Sequence, residues 1–111
     1  MEYRQITDDY SVAGQLTAAD VPAVEAAGFR TMICNRPDAE EGAVPHAEVE
    51  AAAKAAGLEF RYIPVVSGQI TMDNVDDQAA ALDGLPGPVL AYCRSGARCT
   101  NLFGLVQQKR G

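Results

Sequence analysis

The sequence has no tryptophan, a single histidine and only three cysteines. The cysteines are odd in number and form no CxxC pair, so a disulfide framework does not account for the fold. A structural zinc site would need every cysteine and histidine of the chain, at spacings that zinc motifs do not use. We therefore expect no metal, no other cofactor, and thiols that stay reduced.

Long apolar runs and an excess of positive charge are also missing. The longest apolar runs fall far short of the roughly 20 residues that cross a bilayer, so we expect no membrane contact. Residues 1–10 have neither the basic region nor the apolar stretch of a secretion signal, which predicts a cytoplasmic protein. A net charge of -6, with thinly scattered basic residues, argues against a nucleic-acid surface.

The 111 residues are 48% hydrophobic and contain no repeat or linker, so residues 1–111 are predicted to form one domain. Apolar runs and turn residues predict strands at 3–6, 10–13, 29–34, 59–63 and 89–92. Capping and helix-forming residues predict helices at 17–27, 45–56, from Thr71 or Asp73 to about 82, and 98–106. This alternation indicates an α/β fold with a mostly parallel sheet flanked by helices. Ligands of such sheets bind beyond the carboxyl ends of the strands.

The loop between the last strand and the last helix carries the clearest chemical signal. Backbone N–H groups at a helix N-terminus form a cavity that binds anions and favours a thiolate over a thiol. Cys93 is therefore predicted to be the nucleophile, and Arg98 offers a planar fork to two oxygens of the anion. The rest of the loop forms the predicted anion-binding set: Arg94, Ser95, Gly96 and Ala97.

Residues 92–98, Tyr-Cys-Arg-Ser-Gly-Ala-Arg, resemble the active-site loop of single-domain rhodaneses, sulfurtransferases whose cysteine carries a persulfide. Almost the whole chain, especially residues 10–15, 35–38 and 68–71, resembles a phosphatase-like domain. That domain is found fused to β-lactamase-fold persulfide hydrolases and to sulfide:quinone oxidoreductases. The resemblance implies the architecture of dual-specificity cysteine phosphatases with a loop of sulfurtransferase length. It also admits a fused or neighbouring persulfide-processing enzyme as a partner.

Two departures from the phosphatase pattern bear on the activity. Cysteine phosphatases have five residues between cysteine and arginine, whereas this chain has four between Cys93 and Arg98. Phosphatases of this fold also carry an aspartate in the loop after the preceding strand, where residues 64–71 contain no acid. Asp38 on a neighbouring loop is the candidate acid, or else an exposed turn residue. Sulfite and thiolates leave without much help from an acid, so both departures favour sulfur transfer.

A sulfurtransferase is therefore the leading expectation. The Cys93 thiolate takes the outer sulfur of thiosulfate or of a persulfide, and a thiol such as glutathione removes it. In this scheme Arg94 attracts the donor, and Ser95 is a hydrogen-bonding residue of the loop that stabilises the thiolate, with a second nucleophile as the alternative. The alternatives are a cysteine phosphatase and a non-catalytic sulfur carrier that serves a fused or neighbouring enzyme.

The two other cysteines have less defined roles. Cys34 ends a strand at the same edge of the sheet, where some phosphatases of this fold keep a redox partner of the nucleophile. Cys34 is therefore a candidate redox partner of Cys93, or else a core residue. Cys99 is expected to be a small buried residue, with a resolving role as the alternative. His46 is expected to be a surface histidine.

Overall fold

The computed structural model describes residues 1–110 and contains a five-stranded sheet in the order β1-β2-β5-β3-β4. The strands are β1 (Arg4–Thr7), β2 (Tyr10–Ala13), β3 (Thr31–Cys34), β4 (Glu59–Tyr62) and β5 (Val89–Tyr92). The β1 strand runs antiparallel to β2, and the β2-β5, β5-β3 and β3-β4 pairs are parallel. The mostly parallel α/β fold predicted from the sequence is confirmed.

The structure has four α-helices, of which the first three connect strands and the last follows β5: α1 (Val21–Ala26), α2 (His46–Ala55), α3 (Met72–Gly84) and α4 (Ala97–Arg110). The helix predicted at 17–27 begins instead as a short 3-10 turn over Ala18–Asp20. Its predicted cap is present, because the backbone N–H of Thr17 donates to the Asp20 carboxylate at 2.8 Å. Thr71 caps α3 by accepting from the backbone N–H of Asn74 at 3.1 Å. Of the described helices, none is long and apolar enough to span a membrane.

The last helix is longer than the sequence predicts, since it continues past 106 to Arg110. The polar residues that follow Val106 gave no amphipathic signal. In the fold, Lys109 pairs with Asp76, and Arg110 donates to the Asp83 carboxylate at 2.6 Å. Ion pairs between α4 and α3 thus accompany the last turn, although such exposed pairs contribute little individually.

Helices cover both faces of the sheet, and the alternation of β5 assigns its side chains to two cores. Leu90 and Tyr92 pack with α1 and α2 residues, together with Cys34 at the end of β3. Val89, Ala91 and Cys93 pack on the opposite face with residues of α4. Because successive residues of a strand point to opposite faces, Cys34 and Cys93 lie in different core clusters.

Candidate active site

A cavity of about 660 Å³ opens at the carboxyl edge of the parallel strands. It is lined by the loops that follow β3, β4 and β5, as the topology predicts. Five predicted site residues line it: Cys93, Arg94, Ser95, Ala97 and Arg98. The sixth residue of the loop, Gly96, is buried. The structure thus brings the whole predicted loop together around one space.

The loop can turn tightly around Cys93 because Gly96 has a φ of 89°. Its backbone N–H donates to the Cys93 sulfur at 3.1 Å. A Cβ atom at this position would meet the Val12 side chain at 3.4 Å and the Ala13 carbonyl oxygen at 3.5 Å. The positive φ therefore favours glycine here, whereas a Cβ atom would make only ordinary contacts with β2.

Cys93 has the chemical character of a nucleophile. A hydrogen bond from the Cys99 thiol is the largest cause that lowers its pKa, to about 5 from the ordinary 9.0. Burial opposes this shift, and the backbone N–H groups of Cys99, Ser95 and Gly96 add to it. The side chain is almost fully buried but lines the cavity floor. Near neutral pH the sulfur is therefore a thiolate held by donors.

Ser95 contributes to this cradle through its backbone, whereas its side-chain oxygen accepts from the N–H of Ala97 at 3.4 Å. The side chain thus supports the first turn of α4 and makes no recorded hydrogen bond to the thiolate. Arg94 is exposed at the rim of the cavity. Its place agrees with a role in attracting an anion, which stays a prediction.

Hydrogen bonds to Glu40 and Val65 hold the guanidinium group of Arg98 in place. Its Nη1 donates to Glu40 at 2.6 Å and to the Val65 carbonyl oxygen at 2.9 Å, and its Nη2 donates to Glu40 at 3.2 Å. Within residues 1–110, the Nε–H and one N–H of Nη2 remain without a partner. These two N–H groups form the edge of the guanidinium that would donate hydrogen bonds to an anion.

Glu40 is the site residue that the sequence analysis missed. It bridges two arginines, because Arg36 donates to it from Nε at 3.0 Å. Arg36 is nearly buried and also donates to Gln15 at 2.9 Å and to the Glu41 carbonyl oxygen at 2.7 Å. The hydrogen bond from Arg98 is the largest cause that lowers the pKa of Glu40. In the sequence, only the spacing of four residues between Arg36 and Glu40 suggests an ion pair, and this spacing does not predict the pairing of Glu40 with Arg98.

Asp38, the candidate acid, lies outside the residues that line the cavity. It accepts hydrogen bonds from the backbone N–H of His46 at 2.9 Å and from its ring at 2.7 Å. Burial opposes the effect of these bonds, which hold the pKa of Asp38 below its ordinary value. His46 is not simply a surface residue, since it is half-buried and stacks on Tyr62 at 3.7 Å. A tethered carboxylate that stays ionised is a poor proton donor.

The remaining cysteines differ in their relation to Cys93. Cys34 packs with Tyr92 on the other face of the sheet, and its sulfur donates to the Arg36 carbonyl oxygen at 3.4 Å. Burial raises the pKa of both Cys34 and Cys99. Cys99 packs in the same cluster as Cys93 and is fully buried. The redox pairing of Cys34 with Cys93 stays a prediction, with no contact between the two side chains to favour it.

The chain matches the family model of the β-lactamase hydrolase-like protein, phosphatase-like domain, over residues 2–110. A β-lactamase hydrolase-like protein of Agrobacterium fabrum (strain C58 / ATCC 33970) is 35% identical over 112 residues. This match covers 100% of the chain and 26% of the relative. A corresponding protein of Xylella fastidiosa (strain Temecula1 / ATCC 700964) is 32% identical and is covered to 25%, with 96% of the chain matched. The chain thus spans about a quarter of the length of these curated relatives.

The fold also matches solved structures. A candidate phosphatase from Neisseria meningitidis is 33% identical with a TM-score of 0.86, and the match covers 97% of this chain and 78% of that one. The catalytic core of the PP-IP phosphatase Siw14 from S. cerevisiae shares the fold at 14% identity. Its TM-score is 0.73, over 96% of this chain and 64% of that one. The mixed α/β sheet with its flanking helices has the cysteine-phosphatase fold. The chain belongs to the phosphatase-like domain family of the β-lactamase hydrolase-like proteins.

Proposed function

We propose that the chain is a cysteine-dependent phosphatase with Cys93 as its nucleophile. The observation that carries this proposal is the lowered pKa of Cys93, about 5, in a cavity that Arg94 and Arg98 also line, within a phosphatase-like domain. The sequence alone favoured sulfur transfer over phosphate hydrolysis. The family and the fold reverse that order.

The reaction has two steps. The Cys93 sulfur forms a bond to phosphorus while the bond from phosphorus to the leaving oxygen breaks, and the leaving group departs with that electron pair. Water then attacks the phosphocysteine, which releases inorganic phosphate and restores the thiolate. Arg98 and the backbone N–H groups of the loop stabilise the charge on the transferred phosphoryl group. Glu40 keeps the guanidinium of Arg98 in place.

The acids around the cavity define the class of substrate. Glu40 is ionised and paired with two arginines, and Asp38 is tethered to His46. Among residues 1–110, Glu41 is the remaining acidic side chain of the cavity lining, and it is exposed with no hydrogen bond that would orient its carboxylate. Without a positioned acid, the leaving group must depart as a stable anion. We therefore propose aryl phosphates and phosphoanhydrides as substrates, in preference to alkyl phosphates.

A sulfurtransferase is the second candidate, and one specific observation favours it. The loop has four residues between Cys93 and Arg98, one fewer than phosphatases have. Thiosulfate or a persulfide would transfer its outer sulfur to Cys93, with sulfite or a thiolate as the leaving group. A thiol such as glutathione would then take that sulfur. The lack of a positioned acid suits this reaction as well.

The greater length of the curated relatives supports a further part of the proposal. The domain would act beside a second enzymatic domain or a neighbouring enzyme that processes persulfides. If Cys93 takes up sulfur but does not turn over, the domain would serve that enzyme as a carrier.

A paired assay distinguishes the two reactions. Reduced protein is tested for hydrolysis of para-nitrophenyl phosphate and for sulfur transfer from thiosulfate or glutathione persulfide. Cys93→Ser is the inactive variant, and Cys34→Ser is its matched control because Cys34 lies in the opposite core. Phosphate release that Cys93→Ser abolishes and Cys34→Ser retains supports the phosphatase. Sulfur transfer without phosphate release would overturn it in favour of the second candidate.

A further inference from the structure

Three polar side chains beneath the active-site loop form a buried network that the proposed reaction does not use. Asn35 and Gln78 are fully buried, and Tyr10 is 2% exposed. The Asn35 amide nitrogen donates to Gln78 at 3.0 Å and to the Ile63 carbonyl oxygen at 2.9 Å. The Gln78 amide nitrogen donates back to Asn35 at 3.3 Å and to the Tyr10 hydroxyl at 3.4 Å. The network therefore joins β2, the end of β3 and α3.

One end of this network reaches α4, the helix that follows the Cys93 loop. The Tyr10 hydroxyl donates to the Cys99 carbonyl oxygen at 2.9 Å. Cys99 follows Arg98 directly, and its thiol and backbone N–H are among the groups that lower the pKa of Cys93. The Tyr10 ring also stacks on Phe103 of α4 at 4.1 Å. Tyr10 thus contacts the first turn of α4 through a hydrogen bond and the second turn through an apolar contact.

The other end of the network reaches the anchor of Arg98. The carbonyl oxygen of Asn35 accepts from the backbone N–H of Val65 at 2.9 Å. The Val65 carbonyl oxygen in turn accepts from Arg98 Nη1 at 2.9 Å. The backbone N–H of Asn35 donates to the Tyr92 carbonyl oxygen at 2.8 Å, next to Cys93. Asn35 therefore ties together the ends of β3 and β5 and the segment that fixes Arg98.

Stability alone does not explain these polar groups. Burying two amides and a phenol has a desolvation cost that their hydrogen bonds only offset. Apolar side chains of similar volume fill such a space at comparable stability. Hydrogen bonds, unlike apolar contacts, have directions and lengths that fix the elements they join relative to one another.

We propose that Tyr10, Gln78 and Asn35 are positioning residues that hold the first turn of α4 and the Val65 carbonyl in register. The mutual geometry of Cys93 and Arg98 depends on that register. This inference rests on the proposed function only for its effect on turnover, because its effect on the thiolate exists whatever the substrate is.

The test compares Tyr10→Phe and Gln78→Met with Val49→Ala. The first two variants remove polar contacts of the network, and the third weakens the core on the opposite face of the sheet, where Val49 is fully buried. The rate of Cys93 alkylation by iodoacetamide is followed against pH, and kcat/KM for para-nitrophenyl phosphate is measured in parallel. Urea unfolding of each variant reports its stability.

We expect Tyr10→Phe and Gln78→Met to move the alkylation profile to higher pH by about half to one pH unit, which slows alkylation by roughly 3-fold to 10-fold near about pH 4, below the pKa of Cys93. Val49→Ala should lose stability and keep the alkylation profile of the wild type. A wild-type profile in folded Tyr10→Phe would overturn the inference, and this variant decides the outcome if Gln78→Met does not fold. If the wild type hydrolyses no phosphate, the proposed function fails, but the alkylation profiles still test the network.

Discussion

At the scale of single residues, Cys93 differs from the other two cysteines in its protonation. Its pKa is lowered to about 5, whereas burial raises the pKa of Cys34 and Cys99. We expect iodoacetamide near about pH 6.5 to modify Cys93 alone, since the thiolate is the reactive form. Peptide mass spectrometry measures which thiol is labelled. Equal labelling of Cys34 or Cys99 would contradict this assignment.

The source of the low pKa leads to a second prediction. The Cys99 thiol is the largest cause of the shift, so Cys99→Ala should raise the pKa of Cys93, while Cys99→Ser keeps a donor. The thiolate fraction rises with pH, and the rising limb of kcat/KM should therefore move to higher pH in Cys99→Ala. The pH profile of both variants measures this. A limb that stays in place in Cys99→Ala would contradict the role of Cys99.

Glu40 offers a third prediction, because its carboxylate joins the two arginines of the site. Glu40→Gln removes charged hydrogen bonds worth roughly 1.5–3 kcal/mol each and should both lower stability and reduce kcat/KM. The folded-state pKa lies below the ordinary 4.5, so this stabilisation is full above pH 4.5 and is lost as the pH falls further.

Urea unfolding at several pH values tests this dependence. The difference in unfolding free energy between the wild type and Glu40→Gln should shrink below pH 4.5. Glu41→Gln is the matched control, because Glu41 makes no recorded ion pair within residues 1–110. A difference that is constant with pH would contradict the pairing.

The sequence predicts a site residue well when its partners lie near it in the chain, and poorly when they lie far away. The loop from Cys93 to Arg98 is contiguous, so its cysteine, glycine and arginine were visible as one motif. Glu40 was not visible, because its partner Arg98 lies 58 positions away and only the fold joins them. Asp38 looked available because nothing in the sequence shows that His46 takes up its carboxylate.

At the scale of elements, the turn from β5 into α4 depends on Gly96. Its φ of 89° lies in the left-handed region, which residues with a side chain rarely adopt. We expect Gly96→Ala to cost about 1–2 kcal/mol through backbone strain. The decrease in kcat/KM should be larger than the loss of folded protein explains, because the same residue donates to the Cys93 sulfur.

Urea unfolding and kcat/KM measure these two losses in Gly96→Ala. Gly104→Ala is the control, since that glycine lies within α4 with open space around it. A Gly96→Ala variant with wild-type activity would contradict the account of the loop.

The elements themselves were largely predictable. Strand β5 and strand β2 have the predicted bounds, because short apolar runs ended by turn residues define them. The ends of helices were less predictable, as the extra turn of α4 shows. The pairs of Lys109 and Arg110 with α3 are tertiary contacts that no local pattern contains. The separation of Cys34 and Cys93 into two core clusters is likewise a consequence of the strand pairing, not of a local pattern.

At the scale of the whole molecule, the prediction of one domain over residues 1–111 has a direct test. Both cores share the single sheet, so the loss of one should expose the other. We expect urea unfolding of the chain to be one cooperative transition with coincident probes. Circular dichroism and tyrosine fluorescence are suitable probes. Two separate transitions would contradict a single domain.

The central claim is that Cys93 forms a covalent phosphoryl intermediate. The most direct measurement is the mass of the Cys93 peptide in protein mixed with para-nitrophenyl phosphate and rapidly quenched in denaturant, with a parallel sample mixed with thiosulfate. The account predicts a phosphoryl group on Cys93 in the first sample and an unmodified residue in the Cys93→Ser control. A sulfur atom on Cys93 in the second sample, with no phosphoryl group in the first, would contradict it and identify a sulfurtransferase.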